Sequence, residues 1–397
     1  MEFAPWPFFA EDEIQAAVDV LKSGKVNQWT GNAVTAFENA FARYIGTDHA
    51  VALANGSLAL DMALAALNIG KEDEVIVTPR SFVASASCAA FRGAVPVFVD
   101  VDPVSQNITL DTIAKAVTPK TKAVIAVNLG GWPCDLKNIA TFCRQNKLFL
   151  IEDCAQAHGA AFEGKKAGSF GDCAVFSFCQ DKIMTTGGEG GMLVTNNPDI
   201  WKKVWSFKDH GKDYDEVFCQ NHDPGFRWLV NRFGTNARMT EMQAAVGCVQ
   251  LKKLDGWVKK RRAYADQLDR AFENIPGLRT TIPGPACYHS YYKYYVFVGQ
   301  DALKSGWSRD MVIEALNTAG VPCNTGICPE IYKENAFTKG KCRIQGVVKD
   351  SRGKAYLPAA RRLGESSIMF MVHPTLIPAS IGYVIDQVKI VMTGAIK

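Results

Sequence analysis

Between residues 50 and 200, short apolar runs alternate with stretches of helical periodicity. The runs occupy 50–54, 75–77, 95–99, 123–127, 148–152, 174–178 and 192–195. They are apolar with little alternation, which predicts strands buried on both faces: a mostly parallel sheet sandwiched by helices. Upstream, Ile14, Ala17, Val18 and Leu21 recur at helical spacing and Gly24 closes the pattern. Thr240-Glu-Met-Gln243 is a capping box, and Met242, Ala245, Val246 and Val249 share one face of the helix it opens. After about Leu254 the character changes: 291–298 reads as a strand, 309–316 as a helix, 368–372 as a strand and 378–394 as a closing helix. A chain of 397 residues exceeds the roughly 250–300 residues at which one core stops growing. The expectation is therefore an α/β chain with a large domain at 1–254 and a smaller α+β C-terminal domain at 255–397. The first ~25 residues are expected to pack on the small domain.

Composition narrows the class. Hydrophobic residues make up 48% and charged residues 21%, ordinary values for a globular protein. No apolar run approaches the ~18–20 residues that span a bilayer, so no membrane association is expected. Met1-Glu-Phe-Ala-Pro-Trp6 has no basic segment ahead of an apolar core, so the reading is cytoplasmic. The twelve cysteines are scattered through apolar segments, among them Cys88, Cys154, Cys173, Cys179 and Cys248, without a Cys-x-x-Cys pair. Free thiols in a reducing compartment are expected, and no metal site. The net charge is only +4, and the densest basic run, Lys259-Lys-Arg-Arg262, lies within an amphipathic helix around Leu254, Trp257 and Leu268. A solvated helix face accounts for it, and no nucleic-acid partner is expected.

The chemistry concentrates at strand ends. Lys182 follows the run 174–178 and precedes Thr185-Thr-Gly-Gly-Glu-Gly-Gly191, whose four glycines allow tight turns close to a ligand. Asp153 ends the run 148–152. An acid closing an apolar strand is costly to bury without a cationic partner. A lysine and an acid so placed suit pyridoxal 5'-phosphate (PLP): the amine forms a Schiff base with the aldehyde, and the carboxylate keeps the pyridine nitrogen protonated. An exposed loop lysine and a structural salt bridge are the plainer alternatives. At Asn55-Gly56-Ser57 a strand turns into a helix, whose first N–H groups, at Ser57 and Leu58, would hold a phosphate together with the Ser57 hydroxyl. On this segment alone, an ordinary serine cap explains as much. Ser177 could add a second hydroxyl, Phe82 could stack on the ring, and Gln156 could reach the ring hydroxyl. His158 is either a neighbour of that site or a core histidine. Neither a Gly-x-Gly-x-x-Gly fingerprint nor a P-loop occurs.

Taken together, these motifs identify a family. Asn55-Gly-Ser57, Thr78-Pro-Arg-Ser-Phe82, Pro96-Val-Phe-Val-Asp100, Glu152-Asp153-Cys-Ala-Gln156-Ala-His158, Phe176-Ser-Phe-x3-Lys182, Thr186 to Gly191, Asn236-Ala-Arg238 and His373-Pro374 run in order through the chain. The whole chain resembles the DegT/DnrJ/EryC1/StrS family of PLP-dependent nucleotide-sugar aminotransferases, of fold type I. The resemblance implies Lys182 as the Schiff-base lysine, Asp153 as the pyridine-nitrogen partner and Gln156 as the ring-hydroxyl contact. It implies Phe82 as the stacking ring, and Gly56, Ser57, Leu58 and Ser177 around the phosphate. Asn236 matches a residue that reaches the phosphate of a neighbouring subunit, so a homodimer with shared active sites is implied. The chain departs from the family at Asn128-Leu-Gly-Gly131, where His-Leu-Tyr-Gly is usual, and at Asn236-Ala-Arg238, where Asn-Tyr-Arg is common.

The implied reaction is a two-stage amino transfer. L-glutamate converts the cofactor to pyridoxamine phosphate (PMP), which then aminates a nucleotide-linked keto-sugar. An NDP-4-keto-6-deoxyhexose aminated at C4 is the expected substrate, with UDP, dTDP and GDP open, in amino-sugar and surface polysaccharide biosynthesis. Substrate contacts are expected from 128–132, 210–213 and 325–332. The alternatives are the family's sugar 3-dehydratase branch, which carries histidine where Lys182 stands, and a PLP-binding regulatory protein without turnover.

Overall fold

In the computed structural model, which describes residues 1–225 and 227–397, the seven apolar runs become strands of one eight-stranded sheet. Across the sheet the order is His49–Leu53, Gly191–Thr195, Cys173–Ser177, Phe149–Asp153, Thr121–Val127, Glu74–Val77, Val95–Phe98 and Arg343–Ile344. Gly191–Thr195 is antiparallel to both of its neighbours, and the remaining adjacent pairs are parallel. Val75, Ile76, Val77, Val124, Ile125 and Ala126 have no solvent exposure, as strands covered on both faces require. Val127 lies beside Asp153, and Asp153 beside Val175. The carboxyl ends of the parallel strands thus come level on one edge, where open α/β sheets bind their ligands.

The second core surrounds a four-stranded antiparallel sheet of Leu278–Arg279, Tyr294–Val298, Ser367–Phe370 and Cys323–Asn324. The helices Arg309–Thr318 and Pro378–Ala395 contribute Leu316, Ile381 and Val388 to it. The 32-residue helix Glu241–Phe272 joins the two cores. Its N-terminal part packs on Ala33–Ile45, and its C-terminal part buries Tyr264, Leu268 and Phe272 in the second core.

A break at 254/255 does not describe how the chain runs. After entering the small unit, the chain returns: Ile331, Tyr332, Phe337, Leu357, Ala360 and Leu363 belong to the large core, and Arg343–Ile344 adds the edge strand beside Val95–Phe98. Polar contacts fix this return. Arg343 pairs with Glu74 through two nitrogens at 3.1 and 3.0 Å. The Asp100 carboxylate accepts the N–H groups of Ala359 and Ala360 at 2.9 Å each, completing the start of the helix Pro358–Ser366. At the N-terminus, Phe3 touches Tyr383 at 6.4 Å between ring centroids, and the Thr375 hydroxyl donates to the Pro5 carbonyl. The helix Glu11–Ser23 instead lies along Glu241–Phe272.

Candidate active site

Strand alternation separates two adjacent acids. Glu152 points into the turn 168–171, where its carboxylate accepts N–H groups from Gly168, Phe170 and Gly171 at 2.7, 2.7 and 2.8 Å. Its fully buried charge is therefore matched by backbone donors. Asp153, one residue on, faces the opposite way and is 4% exposed. Its Oδ2 accepts the Ser85 hydroxyl at 2.6 Å and its Oδ1 the Ala155 N–H at 3.1 Å. Both donors are neutral. Burial pushes the Asp153 carboxyl up, opposed by Ser85, the Ala155 N–H and the nearby Lys182 charge.

Lys182 lies on the loop beyond Cys173–Ser177. Its N–H donates to the Cys179 carbonyl at 3.1 Å, and its own carbonyl accepts the Trp6 indole N–H at 2.8 Å. Trp6 stacks on His373 at 6.0 Å and meets Trp257 edge-on at 5.4 Å, so the N-terminal segment buttresses this lysine between the two cores. The Lys182 amine lies over the Tyr292 ring, 5.0 Å from its centroid, rather than on a carboxylate oxygen. Asp181, Lys293 and His158 all feel its charge.

At the other end of the site, the helix Gly56–Ala66 starts beside Ser177. A Cβ on Gly56 would fall 2.8 Å from the Ser177 Cβ and 3.2 Å from its Cα, so only glycine allows this approach. The helix is capped by Asn55, whose Oδ1 accepts the Leu58 N–H at 2.9 Å. This corrects the sequence reading twice: the cap is Asn55 rather than Ser57, and the Leu58 N–H is satisfied within the protein. The N–H groups of Gly56 and Ser57, the exposed Ser57 side chain and the half-buried Ser177 hydroxyl remain for an anion. Asn236 is exposed, and its backbone bridges to Asp209.

Between these ends, Phe82 stands 59% exposed on the loop from Glu74–Val77 to Ala84–Phe91. The Gln156 Oε1 accepts the Gly130 N–H at 2.8 Å, which leaves its amide N–H groups to point elsewhere as donors. Gly130 and Gly131 have φ of 65° and 96°, and a Cβ at Gly131 would meet Ser290 Oγ at 2.5 Å. That is the local reason for Gly-Gly in this turn. Of the expected substrate segment 128–132, Asn128 is fully buried and engaged with Cys154 and the Cys134 N–H. Gly130 and Gly326, from 325–332, both approach the Tyr295 ring. His158 proves to be a core residue, 5.5 Å from each of Phe176 and Phe178. Burial, then the Lys182 and Arg261 charges, push it down to about 3, so it stays neutral.

Three residues escaped the sequence reading. Ser85 looked like one small residue among several in a helix, although its hydroxyl crosses 68 positions to Asp153 and is backed by Ser81 at 2.9 Å. Tyr292 and Lys293 looked like strand residues, and no local pattern brings them to Lys182.

These residues fit PLP. A buried carboxylate whose two hydrogen-bond donors are neutral suits a cation such as a pyridinium nitrogen. A helix start with free N–H groups suits a phosphate, and the Lys182 amine acts on the Asp153 carboxylate. The sequence profile of the DegT/DnrJ/EryC1/StrS aminotransferase family matches residues 7–389. An aminotransferase structure from Psychrobacter cryohalolentis superposes with a TM-score of 0.93 at 46% identity over 99% of both chains. GDP-perosamine synthase of Caulobacter vibrioides is 39% identical over 73% of this chain and 75% of its own. The dTDP-4-dehydro-2,3,6-trideoxy-D-glucose 4-aminotransferase of Saccharopolyspora spinosa is 32% identical over 96% and 94%. The strand-end lysine and aspartate, the helix start and these matches together make this chain a member of the DegT/DnrJ/EryC1/StrS aminotransferase family, a PLP-dependent sugar aminotransferase of fold type I.

Proposed function

We propose that this enzyme moves an amino group from L-glutamate to a nucleotide-linked keto-sugar in two half-reactions, delivering nitrogen to C4 of an NDP-4-keto-6-deoxyhexose. The observation that carries the reading is that the Lys182 amine lies near enough to the buried Asp153 carboxylate for its charge to act on it. Bound PLP supplies an aldehyde carbon and a ring that withdraws electrons. The protein does the rest. Lys182 anchors the cofactor, and once displaced by the donor its amine carries the proton from the donor α-carbon. Asp153 holds the ring nitrogen protonated, with Ser85 and Ala155 fixing both of its oxygens. Gly56, Ser57 and Ser177 take the phosphate. Gln156, held by Gly130, presents its N–H groups to the ring oxygen, and Phe82 covers the ring face. The seam between the two cores excludes water.

Lysine at position 182, where the 3-dehydratase branch has histidine, favours amination over dehydration. A relative named as a 4-aminotransferase of a dTDP-4-dehydro sugar supports nitrogen transfer to C4. The segment 218–233 exposes Phe218, Trp228, Val230 and Phe233, the last at 98%. Apolar surface of that kind supports a homodimer in which Asn236 reaches the partner's phosphate. Among the described residues no helix is long and apolar enough to cross a membrane, and a cytoplasmic role in making surface-polysaccharide amino sugars follows from the substrate class.

The test is spectroscopic. The purified enzyme should be yellow, and Lys182→Ala should lose the absorbance of the covalently held cofactor; retained attachment would overturn the role of Lys182. L-glutamate should bleach the wild type. The glutamate-treated enzyme should then aminate one member of a panel of nucleotide keto-sugars, identified by product NMR. A product lacking a hydroxyl and carrying no new nitrogen would establish dehydration instead.

A further inference from the structure

A second amine stands near Lys182. Lys293 opens onto the same Tyr292 ring: its Nζ lies 4.5 Å from the ring centroid, and that of Lys182 lies 5.0 Å away. Its side chain is 12% exposed, so this is a largely desolvated ammonium beside the reacting centre. An ammonium carries three donors and is rarely buried without acceptors for them. Here the acceptors are poor. One contact is the Met371 thioether at 3.3 Å, a weak acceptor. The other is Asp181 Oδ2 at 3.7 Å, an oxygen that already accepts the Tyr292 hydroxyl. The surroundings add positive charge. Arg261 is 1% exposed, and among the described residues its Nε and Nη2 have no hydrogen-bond partner, while its Nη1 donates to the Tyr291 and Tyr292 carbonyls. Lys182, Lys293 and Arg261 all feel the charge of a single carboxylate, Asp181.

We infer that Lys293 is the recognition residue for a carboxylate of the amino donor, which completes the ammonium's hydrogen bonding when the donor occupies the cleft. The inference rests on the aminotransferase reading and deepens it by naming the group that the donor must carry. A carboxylate suits the place: it is anionic, it accepts hydrogen bonds that Met371 and Asp181 leave unmade, and it arrives with the amine that displaces Lys182. The diphosphate of the sugar substrate shares the anionic chemistry but belongs to the second half-reaction, and the two sources separate by experiment. The groups facing Lys293 set its pH range. Burial, then Arg261 and Lys182, draw it down to about 8 against the pull of Asp181. Arg261 stays charged at neutral pH, drawn down by burial to about 9. His373, pushed down to about 3 by burial, is neutral, and burial followed by Asp181 holds the Tyr292 phenol protonated. Donor affinity should therefore hold below about pH 8 and weaken above it as Lys293 loses its proton.

The experiment compares Lys293→Met and Lys293→Arg with the wild type, all loaded with cofactor. Retained cofactor absorbance shows that the variants are folded. Half-saturation for L-glutamate, read from the spectral change, should rise at least tenfold in Lys293→Met and recover in Lys293→Arg. The weakening above pH 8 should vanish in Lys293→Met. L-glutamine and L-isoglutamine, each lacking one carboxylate, identify which carboxylate is held: the wild type should reject one of them and Lys293→Met should not. Calorimetric titration with glutarate, which has no amine to react, reads the same contact without turnover and should lose its signal in Lys293→Met. If no glutamate response appears while glutarate binds through Lys293, the donor reading fails and the carboxylate site stands. Equal glutamate half-saturation and equal glutarate binding in wild type and Lys293→Met overturn the inference. So does a variant whose only change is weaker binding of the nucleotide sugar.

Discussion

Replacing Ser85 with alanine isolates the electrostatic design around Asp153. Ser85 is 2% exposed and gives Oδ2 its shortest hydrogen bond, 2.6 Å. A hydrogen bond to a charged group contributes about 1.5–3 kcal/mol, equivalent to about one to two pKa units at 1.36 kcal/mol each. Because the hydroxyl favours the ionised carboxylate, its loss moves Asp153 further up from a position already raised by burial. A carboxyl raised on folding binds its proton more tightly in the folded state, so it lowers stability progressively as pH rises from its unfolded value near 4 through its folded value. Ser85→Ala should therefore deepen a penalty felt at neutral and alkaline pH. The cofactor-free variant should be about 1.5–3 kcal/mol less stable than wild type at pH 8. The gap should narrow toward about 1 kcal/mol as pH falls to about 4, because a carboxyl that has taken up its proton forgoes only an ordinary hydrogen bond. Urea unfolding followed by tryptophan fluorescence at both pH values measures this. An equal deficit at the two values would mean that Ser85 acts by packing alone, and that Asp153 gains nothing from its hydroxyl in the ionised form.

Two further substitutions probe the frame of the site. Gly56→Ala places a Cβ 2.8 Å from that of Ser177, so the helix start must shift; a loss of about 1–3 kcal/mol in urea unfolding and weaker retention of the cofactor on dialysis are expected. Glu152→Gln turns one oxygen, now bound to the N–H groups of the turn 168–171, into a donor facing a donor. The near-isosteric change should still cost about 2–3 kcal/mol, read as a lowered unfolding midpoint, whereas a neutral result would show that the turn holds without the carboxylate.

The sequence by itself determined the scaffold of the large sheet and the identity of its chemistry. Runs such as 123–127 can be stable only when covered on both faces, and an acid ending one of them, with a lysine beyond the next, left few alternatives. What stayed hidden depends on approach across long separations. Arg343–Ile344 is a two-residue strand defined by its neighbour, far back in the chain at Val95–Phe98. Its return into the large core, held by Glu74 and Asp100, blurs any boundary drawn on local pattern. Asn55 displaced Ser57 as the cap because its side chain reaches the Leu58 N–H in the backbone geometry that the turn adopts. Ser85 on Asp153, and Lys182 and Lys293 at one Tyr292 ring, carry no periodicity or spacing that marks them. Periodicity records which side of an element is buried; only packing decides which buried groups meet, and that is where the protonation of the site is set.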